Sequence, residues 1–148
     1  MIVILLCFVY YSVMIEWKDD YSVGNRVIDE QHKGLIRMTA ELYEACRQGG
    51  DTEKALFIKT LHGAVQYVKE HFSTEEQIMK RVNYPDYAVH KKEHEDFITE
   101  VLRQAKNYEN NKPFVPATFV KFLLEWILTH VAGSDKKYIP YLPAEKKP

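Results

Sequence analysis

The sequence has few cysteines and no excess of either charge. Of its 148 residues only two are cysteines, Cys7 and Cys46. Two are too few for a disulfide framework, and their spacing matches no paired-cysteine zinc motif. Twenty Lys and Arg face 21 Asp and Glu, which gives a formal charge of -1 at pH 7. We therefore expect a cytoplasmic protein that has no affinity for nucleic acid or for anionic lipid.

Long hydrophobic runs are also absent, apart from a short one at the N-terminus. Residues 1–15 carry no charge, but a membrane-spanning helix needs roughly 20 apolar residues. The basic start and the small-residue cleavage site of a secretory signal are missing as well. Residues 1–13 are either an extension upstream of a start at Met14 or a hydrophobic anchor or docking arm. We expect membrane contact only through this segment, and one domain over residues 14–148.

The sequence contains no glycine-rich phosphate loop and no strand-like alternation. Apolar residues and histidines instead recur at steps of three and four, the spacing of one helix face. Asp51 is a predicted N-cap and Gly133 a predicted C-terminal stop. The pattern predicts an all-α, antiparallel up-down-up-down four-helix bundle with an N-terminal arm. The four segments run from Val27 to Gly49-Gly50, from Asp51 to Tyr84-Pro85, from His90 to the polar run at 107–112, and from Pro113 and Pro116 to Gly133.

The inward faces of these helices carry polar residues that a bundle interior rarely holds. His71 and Glu75 are four residues apart, as are His90 and His94, so each pair lies on one helix face. His62, nine residues before His71, lies on the opposite face and should meet water. Burial of the inward set without partners would be costly, and a bound metal would offset that cost. The inward set is His32, His71, Glu75, His90, His94 and His130.

Four ordered motifs carry a resemblance to a known family. They are Asp29-Glu30-Gln31-His32, then His71-Phe72-Ser73-Thr74-Glu75-Glu76, then Tyr84-Pro85 with His90 and His94, then Trp126 to His130 with Asp135. From about residue 15 to residue 141 the sequence resembles the hemerythrin family, specifically the bacterial single-domain bacteriohemerythrins. The resemblance implies a centre of two non-haem iron ions. The ligands that it implies are His32, His71, Glu75, His90, His94, His130 and Asp135.

Asp135 fits this set only if its helix is irregular. Five residues after His130 is about 140 degrees around a regular helix, which is off the face of that histidine. We expect a local irregularity at Gly133 and Ser134 that swings the carboxylate towards the site.

The ligand count indicates a vacant coordination position. The resemblance implies that Glu75 and Asp135 each bind both irons, together with a bridging oxo or hydroxo group. Two octahedral irons have about twelve coordination positions, and this ligand set leaves one of them open. The resemblance places His90, His94 and His130 on the complete iron, so the vacancy falls to the other iron. The apolar residues predicted to line it are Leu35, Phe72, Met79, Trp126, Ile127 and Val131, with Trp17 as a further candidate.

The resemblance implies reversible dioxygen binding, by an oxygen carrier or store and not an enzyme. Helix bundles that activate oxygen at two irons use four carboxylates and two histidines, and here histidines predominate. The expected partners are dioxygen and an oxygen-consuming protein, such as an oxidase or oxygenase, that receives it. The alternatives are a di-iron enzyme acting on peroxide or nitric oxide, an oxygen or iron sensor, and an iron store. Two further alternatives fit the pattern less well. One is a bundle without metal in which each buried histidine has its own hydrogen-bond partner, and the other is a tetrahedral zinc site.

Overall fold

The computed structural model describes residues 15–143, and within them the chain is helical without a strand. Four long helices pack together, as the periodicity predicts. Helix α1 is Arg26–Gln48, and helix α3 is Tyr87–Glu109. Helix α2 runs through Gly50–Tyr67, a π-helical segment Val68–Phe72, and Ser73–Arg81. Helix α4 runs through Pro116–Trp126, a π-helical segment Ile127–Ser134, and a 3-10 segment Asp135–Tyr141.

The turn between α1 and α2 depends on two glycines. Gly49 and Gly50 both have a φ of 70°, a left-handed conformation that residues with a Cβ rarely adopt. The two glycines reverse the chain so sharply that α2 begins at Gly50, with Gly49 as its N-cap. The prediction of Asp51 as the N-cap is therefore wrong. Asp51 lies in the first turn instead, where its charge favours the helix dipole.

The predicted stop at Gly133 is also wrong. Gly133 lies inside the π-helical segment Ile127–Ser134, and it is not among the glycines of positive φ. The chain continues without a break into the 3-10 segment that ends at Tyr141. The other boundaries agree with the sequence, since α2 ends before Tyr84-Pro85 and Pro116 occupies the first turn of α4.

Residues 15–25 are the described part of the predicted N-terminal arm, and they are fastened to the bundle. The Ser22 hydroxyl and the Val23 N–H donate to the two carboxylate oxygens of Asp29, over 2.6 and 2.8 Å. Trp17 packs against the hydrophobic core, with the Lys33 ammonium 5.1 Å from its ring centroid. The predicted extension at residues 1–13 lies outside the described residues. Between residues 15 and 143 no helix is long and apolar enough to cross a membrane.

The core divides into two apolar clusters with polar side chains between them. The larger cluster includes Leu35 and Phe72, and the smaller one includes Ile28, Met79 and Tyr138. On α1, His32 lies one turn from both Ile28 and Leu35. On α2, Glu75 lies between Phe72 and Met79 in the same way. The polar side chains therefore lie at one level along the bundle, called the polar level here, and apolar residues enclose this level on both sides.

Candidate metal centre

The structure brings the seven residues named by the sequence to one level of the bundle. All seven are buried, and none exposes more than 3% of its surface. His62, the histidine predicted to face water, is exposed, which confirms the helical register of α2. The seven buried residues are His32, His71, Glu75, His90, His94, His130 and Asp135.

The ligand atoms of these residues form two groups, each suited to hold one metal ion. Within a group the donor atoms lie within 4.8 Å of one another. Glu75 belongs to both groups, as a ligand of a binuclear site would. The first group is Glu75, His90, His94 and His130, and the second is His32, His71, Glu75 and Asp135.

Asp135 reaches the site because α4 is π-helical before it. The backbone N–H of Asp135 donates to the carbonyl oxygen of His130, a bond that spans five residues and brings the two side chains to one face. Asp135 Oδ1 then lies 3.0 Å from His130 Nε2, and Oδ2 lies 3.1 Å from His32 Nε2. Each carboxylate oxygen thus faces a different histidine group. The expected irregularity is confirmed, although it starts at Ile127, well before Gly133.

Glu75 is the second carboxylate between the two groups. Its Oε2 lies 3.3 Å from His71 Nε2 and 3.2 Å from His94 Nε2. Its Oε1 accepts a hydrogen bond of 2.7 Å from the hydroxyl of Tyr138. Burial opposes ionisation of Glu75, but the surrounding histidines hold its pKa well below the ordinary value. The carboxylate is therefore the stable form.

Three of the histidines are oriented through their outer ring nitrogens. Each Nδ1 lies at hydrogen-bond distance from a side-chain oxygen, so that Nε2 turns towards the centre of the bundle. Burial raises the pKa of Glu93, but hydrogen bonds with Ser134 and His130 outweigh it and lower that pKa. The pairs are His71 with Gln31 at 3.0 Å, His94 with Glu76 at 3.3 Å, and His130 with Glu93 at 2.5 Å.

The ring nitrogens and carboxylate oxygens that face the centre of the bundle lack hydrogen-bond partners, as expected of atoms that bind metal. Six of them are buried and have no hydrogen-bond partner among residues 15–143. Unpartnered buried polar atoms are costly, and their convergence at one level is the arrangement that metal ions would compensate. Burial also lowers the pKa of His71, which favours the neutral imidazole that binds metal. The six atoms are Glu75 Oε2, Asp135 Oδ1 and Oδ2, and Nε2 of His90, His94 and His130.

The six apolar residues predicted to line the vacancy are all buried, but they do not lie together. Phe72 stacks on the ring of His94 and Trp126 on that of His130, both at 3.8 Å between centroids. Met79 belongs to the smaller cluster at the other side of the polar level. The remaining three, Leu35, Ile127 and Val131, belong to the larger cluster with Phe72 and Trp126.

Sequence reasoning missed the residues that surround the histidines. Tyr67 stacks on His71 at 4.4 Å between centroids, and Tyr138 donates to Glu75. In the sequence both residues look like ordinary core aromatics. The only signal was the position of Tyr67, four residues before His71. The outer partners Gln31, Glu76 and Glu93 each stand next to a predicted ligand in the sequence, and this adjacency was the available signal.

Comparison with known proteins gives consistent matches. A family model described as the hemerythrin HHE cation binding domain matches residues 23–142. A bacteriohemerythrin of Stenotrophomonas maltophilia is 29% identical over 131 residues, which are 88% of this chain and 83% of that protein. A bacteriohemerythrin of Pseudomonas aeruginosa is 32% identical over 83% of this chain and 78% of its own. A myohemerythrin of Theromyzon tessulatum is 31% identical over 83% of this chain and 89% of its own.

Proposed function

The chain belongs to the hemerythrin family, and we propose that it is an oxygen carrier or store that binds dioxygen reversibly at a non-haem di-iron centre. The observation that carries this proposal is the pair of buried groups that share Glu75. Five imidazoles outnumber two carboxylates in those groups, and neutral imidazoles give iron less negative charge than carboxylates do. We expect this set to disfavour iron above the ferric state, and therefore to favour binding over oxidation chemistry.

The seven buried residues are the ligands that we propose for the two irons. When bound, iron would supply the electrons that make dioxygen binding favourable and reversible. The protein would supply neutral imidazoles, oriented by the hydrogen bonds at Nδ1, and two carboxylates between them. In this proposal His90, His94 and His130 would hold one iron and His32 and His71 the other. Glu75 and Asp135 would bind both, together with an oxo or hydroxo group.

This ligand set would leave one coordination position open on the iron beside His32 and His71. With an oxygen bridge, the ligand set fills all but one of about twelve octahedral positions. A groove of about 730 Å³ between α1 and α2 includes Leu35, Tyr67 and His71 in its lining. A molecule as small as dioxygen would approach the vacancy from this side.

The apolar residues beside the vacancy would protect a bound ligand from water. Leu35 and Ile127 expose none of their surface, and Val131 exposes 1%. Phe72 and Trp126 stack on His94 and His130, and so would cover the ligands of the other iron. Water and anions that compete for the metal would therefore enter slowly.

Metal analysis and an oxygen electrode test this function together. The purified protein should contain two irons per chain, since a single iron would leave buried ligands unused. After reduction it should take up dioxygen in proportion to its iron and then stop, once the consumption by the reductant alone is subtracted. Continued consumption of dioxygen, peroxide or nitric oxide would favour a di-iron enzyme instead. One iron per chain, or stoichiometric zinc after growth with ample iron, would contradict the site.

We propose a cytoplasmic location and an oxygen-consuming protein, an oxidase or oxygenase, as the recipient. The low cysteine content supports a reducing compartment. Cell fractionation should find the protein in the cytoplasmic fraction, and recovery in the membrane fraction would instead indicate an anchoring role for residues 1–13.

A further inference from the structure

Three tyrosines form a continuous series of ring contacts from the proposed metal centre to the surface of the protein. The ring centroids of Tyr138 and Tyr84 lie 6.3 Å apart, and those of Tyr84 and Tyr141 lie 5.3 Å apart. Both pairs meet edge to face, an arrangement that aromatic rings in contact prefer. We call Tyr138, Tyr84 and Tyr141 the tyrosine series.

The inner end of the tyrosine series contacts two of the proposed ligands. The hydroxyl of Tyr138 donates to Glu75 Oε1 over 2.7 Å, and the ring centroid of Tyr138 lies 5.9 Å from that of His90. The ring of Tyr84 also approaches His90, at 6.5 Å between centroids. The series therefore begins at the carboxylate that both metal-binding groups share and at a histidine of the first group.

The exposure of the rings increases along the series from the site outwards. Tyr138 exposes none of its surface, Tyr84 exposes 5%, and Tyr141 exposes 45%. Tyr138 and Tyr141 are one turn apart in the 3-10 segment Asp135–Tyr141. Tyr84, in the loop between α2 and α3, contacts both of their rings. The series thus connects a buried site with water through three side chains.

The chemistry of phenols distinguishes this series from the other aromatic contacts of the site. A tyrosine gives up one electron, together with its hydroxyl proton, far more readily than a phenylalanine does. Tyr67 and Trp126 are also oxidisable, but the rings of Phe72 and Phe97 lie against them and do not continue a path of oxidisable groups. Along the tyrosine series each ring has an equally oxidisable neighbour, so an electron can pass from one to the next.

We propose that the tyrosine series conducts electrons inwards when hydrogen peroxide oxidises the proposed metal centre, so that Tyr141 is the residue finally oxidised. This inference rests on the proposed function, because the oxidation begins at the proposed irons. Tyr138 supplies the first electron and recovers it from Tyr84, and Tyr84 recovers it from Tyr141. Tyr141 releases its hydroxyl proton to water. The series would thereby move the oxidation away from His90 and the other buried ligands.

The electrons and atoms balance for two chains and one molecule of hydrogen peroxide. The O–O bond breaks, and the peroxide takes up two electrons and two protons and leaves as two molecules of water. Tyr141 of each chain supplies one electron and one proton. Because Tyr141 is exposed, the two oxidised rings can meet and join through a new carbon–carbon bond, which gives dityrosine. The reaction ends when Tyr141 is used up, unlike turnover by an enzyme.

Peroxide treatment of the iron-loaded protein tests the proposal. Iron content and the consumption of hydrogen peroxide are measured first, and dityrosine is then located by its fluorescence and by mass spectrometry of the linked peptides. We expect a covalent dimer linked at Tyr141 in the iron-loaded parent and none in metal-free protein. Tyr84→Phe retains Tyr141 but interrupts the series, so the link at Tyr141 should be lost while the iron content stays unchanged. Tyr138→Phe should lose the link as well.

Tyr87→Phe is the matched control. Tyr87 also packs against the smaller cluster near the site, but its hydroxyl donates to Glu76 over 3.1 Å and it is not part of the series. This variant should form the link at Tyr141 as the parent does, and its loss here would contradict the path.

Three results would overturn the inference and leave the proposed function standing. They are an unchanged link in Tyr84→Phe, an equal link in metal-free protein, and no link at Tyr141 in an iron-loaded parent treated with peroxide. A parent that holds no iron would contradict the proposed function, and the inference with it.

Discussion

Removal of one hydroxyl group, in Tyr138→Phe, tests whether Glu75 is held in place by the protein before metal binds. Tyr138 is fully buried, and its hydroxyl donates to Glu75 Oε1 over 2.7 Å. Phe fills nearly the same volume, so packing against Tyr84 and Met79 in the smaller cluster should persist. The variant therefore isolates the hydrogen bond from the packing of the ring.

The expected magnitude follows from the charge and burial of the acceptor. Glu75 has no exposed surface, and the histidines around it lower its pKa and so favour its ionised form. A hydrogen bond to a charged group contributes about 1.5–3 kcal/mol, and a buried acceptor left without a partner cannot recover this from water. We expect the free energy of unfolding of the metal-free protein to fall by about 2 kcal/mol. In a chain of this size that corresponds to a decrease in Tm of roughly 6 °C.

Thermal unfolding of metal-free protein, followed by circular dichroism, measures this difference directly. Tyr84→Phe is the control, because Tyr84 belongs to the same cluster and exposes only 5% of its surface, but its hydroxyl donates to no carboxylate in the described part of the chain. Its Tm should stay close to that of the parent. Equal losses in both variants would show that ring packing and not the bond to Glu75 is responsible. No loss in Tyr138→Phe would refute the assigned hydrogen bond.

Three further predictions concern metal content and the lifetime of bound oxygen. His62→Ala should retain two irons per chain by metal analysis, while His32→Ala should lose iron, and the reverse result would contradict the register of the helices. Ile127→Glu should retain iron but shorten the lifetime of the oxygenated form, measured by its optical decay under air, because a carboxyl group would enter the dry pocket; an unchanged lifetime would contradict the pocket assignment. Deletion of residues 1–13 should leave iron content unchanged, since the proposed ligands begin at His32, and aggregation or loss of iron would show that this segment packs on the bundle.

The bundle and the inward histidines were predictable because both depend on helical periodicity. The four-residue spacing of His90 and His94 keeps both on one face because i and i+4 are neighbours on an α-helix. His71 lies in the π-helical segment and Glu75 in the α-helical turn after it, and their side chains still meet at 3.3 Å. The exposure of His62 follows from the same geometry. The irregularity before Asp135 was predictable only because the family resemblance implies a ligand at Asp135, and a residue five positions after His130 does not share its face on a regular helix.

Other features depend on contacts between helices, which periodicity does not describe. The π-helical segment Val68–Phe72 contains no glycine or proline from which the irregularity could be predicted. Gly133 looks like a terminator, yet the chain continues through it as part of the turn that carries Asp135 inward. Tyr67 and Tyr138 look like core aromatics, because sequence shows that a ring is inward but not what its hydroxyl meets. The polar surroundings of the site were therefore the part that required the structure.

Repeated optical cycles with oxygen measure the central property most directly. The iron-loaded protein is reduced, freed of reductant, and exposed in turn to air and to an oxygen-free gas while its spectrum is recorded. We expect the oxygenated spectrum to appear in air and the reduced spectrum to return without oxygen, over several cycles and with no added reductant. Conversion to the oxidised form at the first exposure to air, with no response until reductant is added again, would contradict reversible binding.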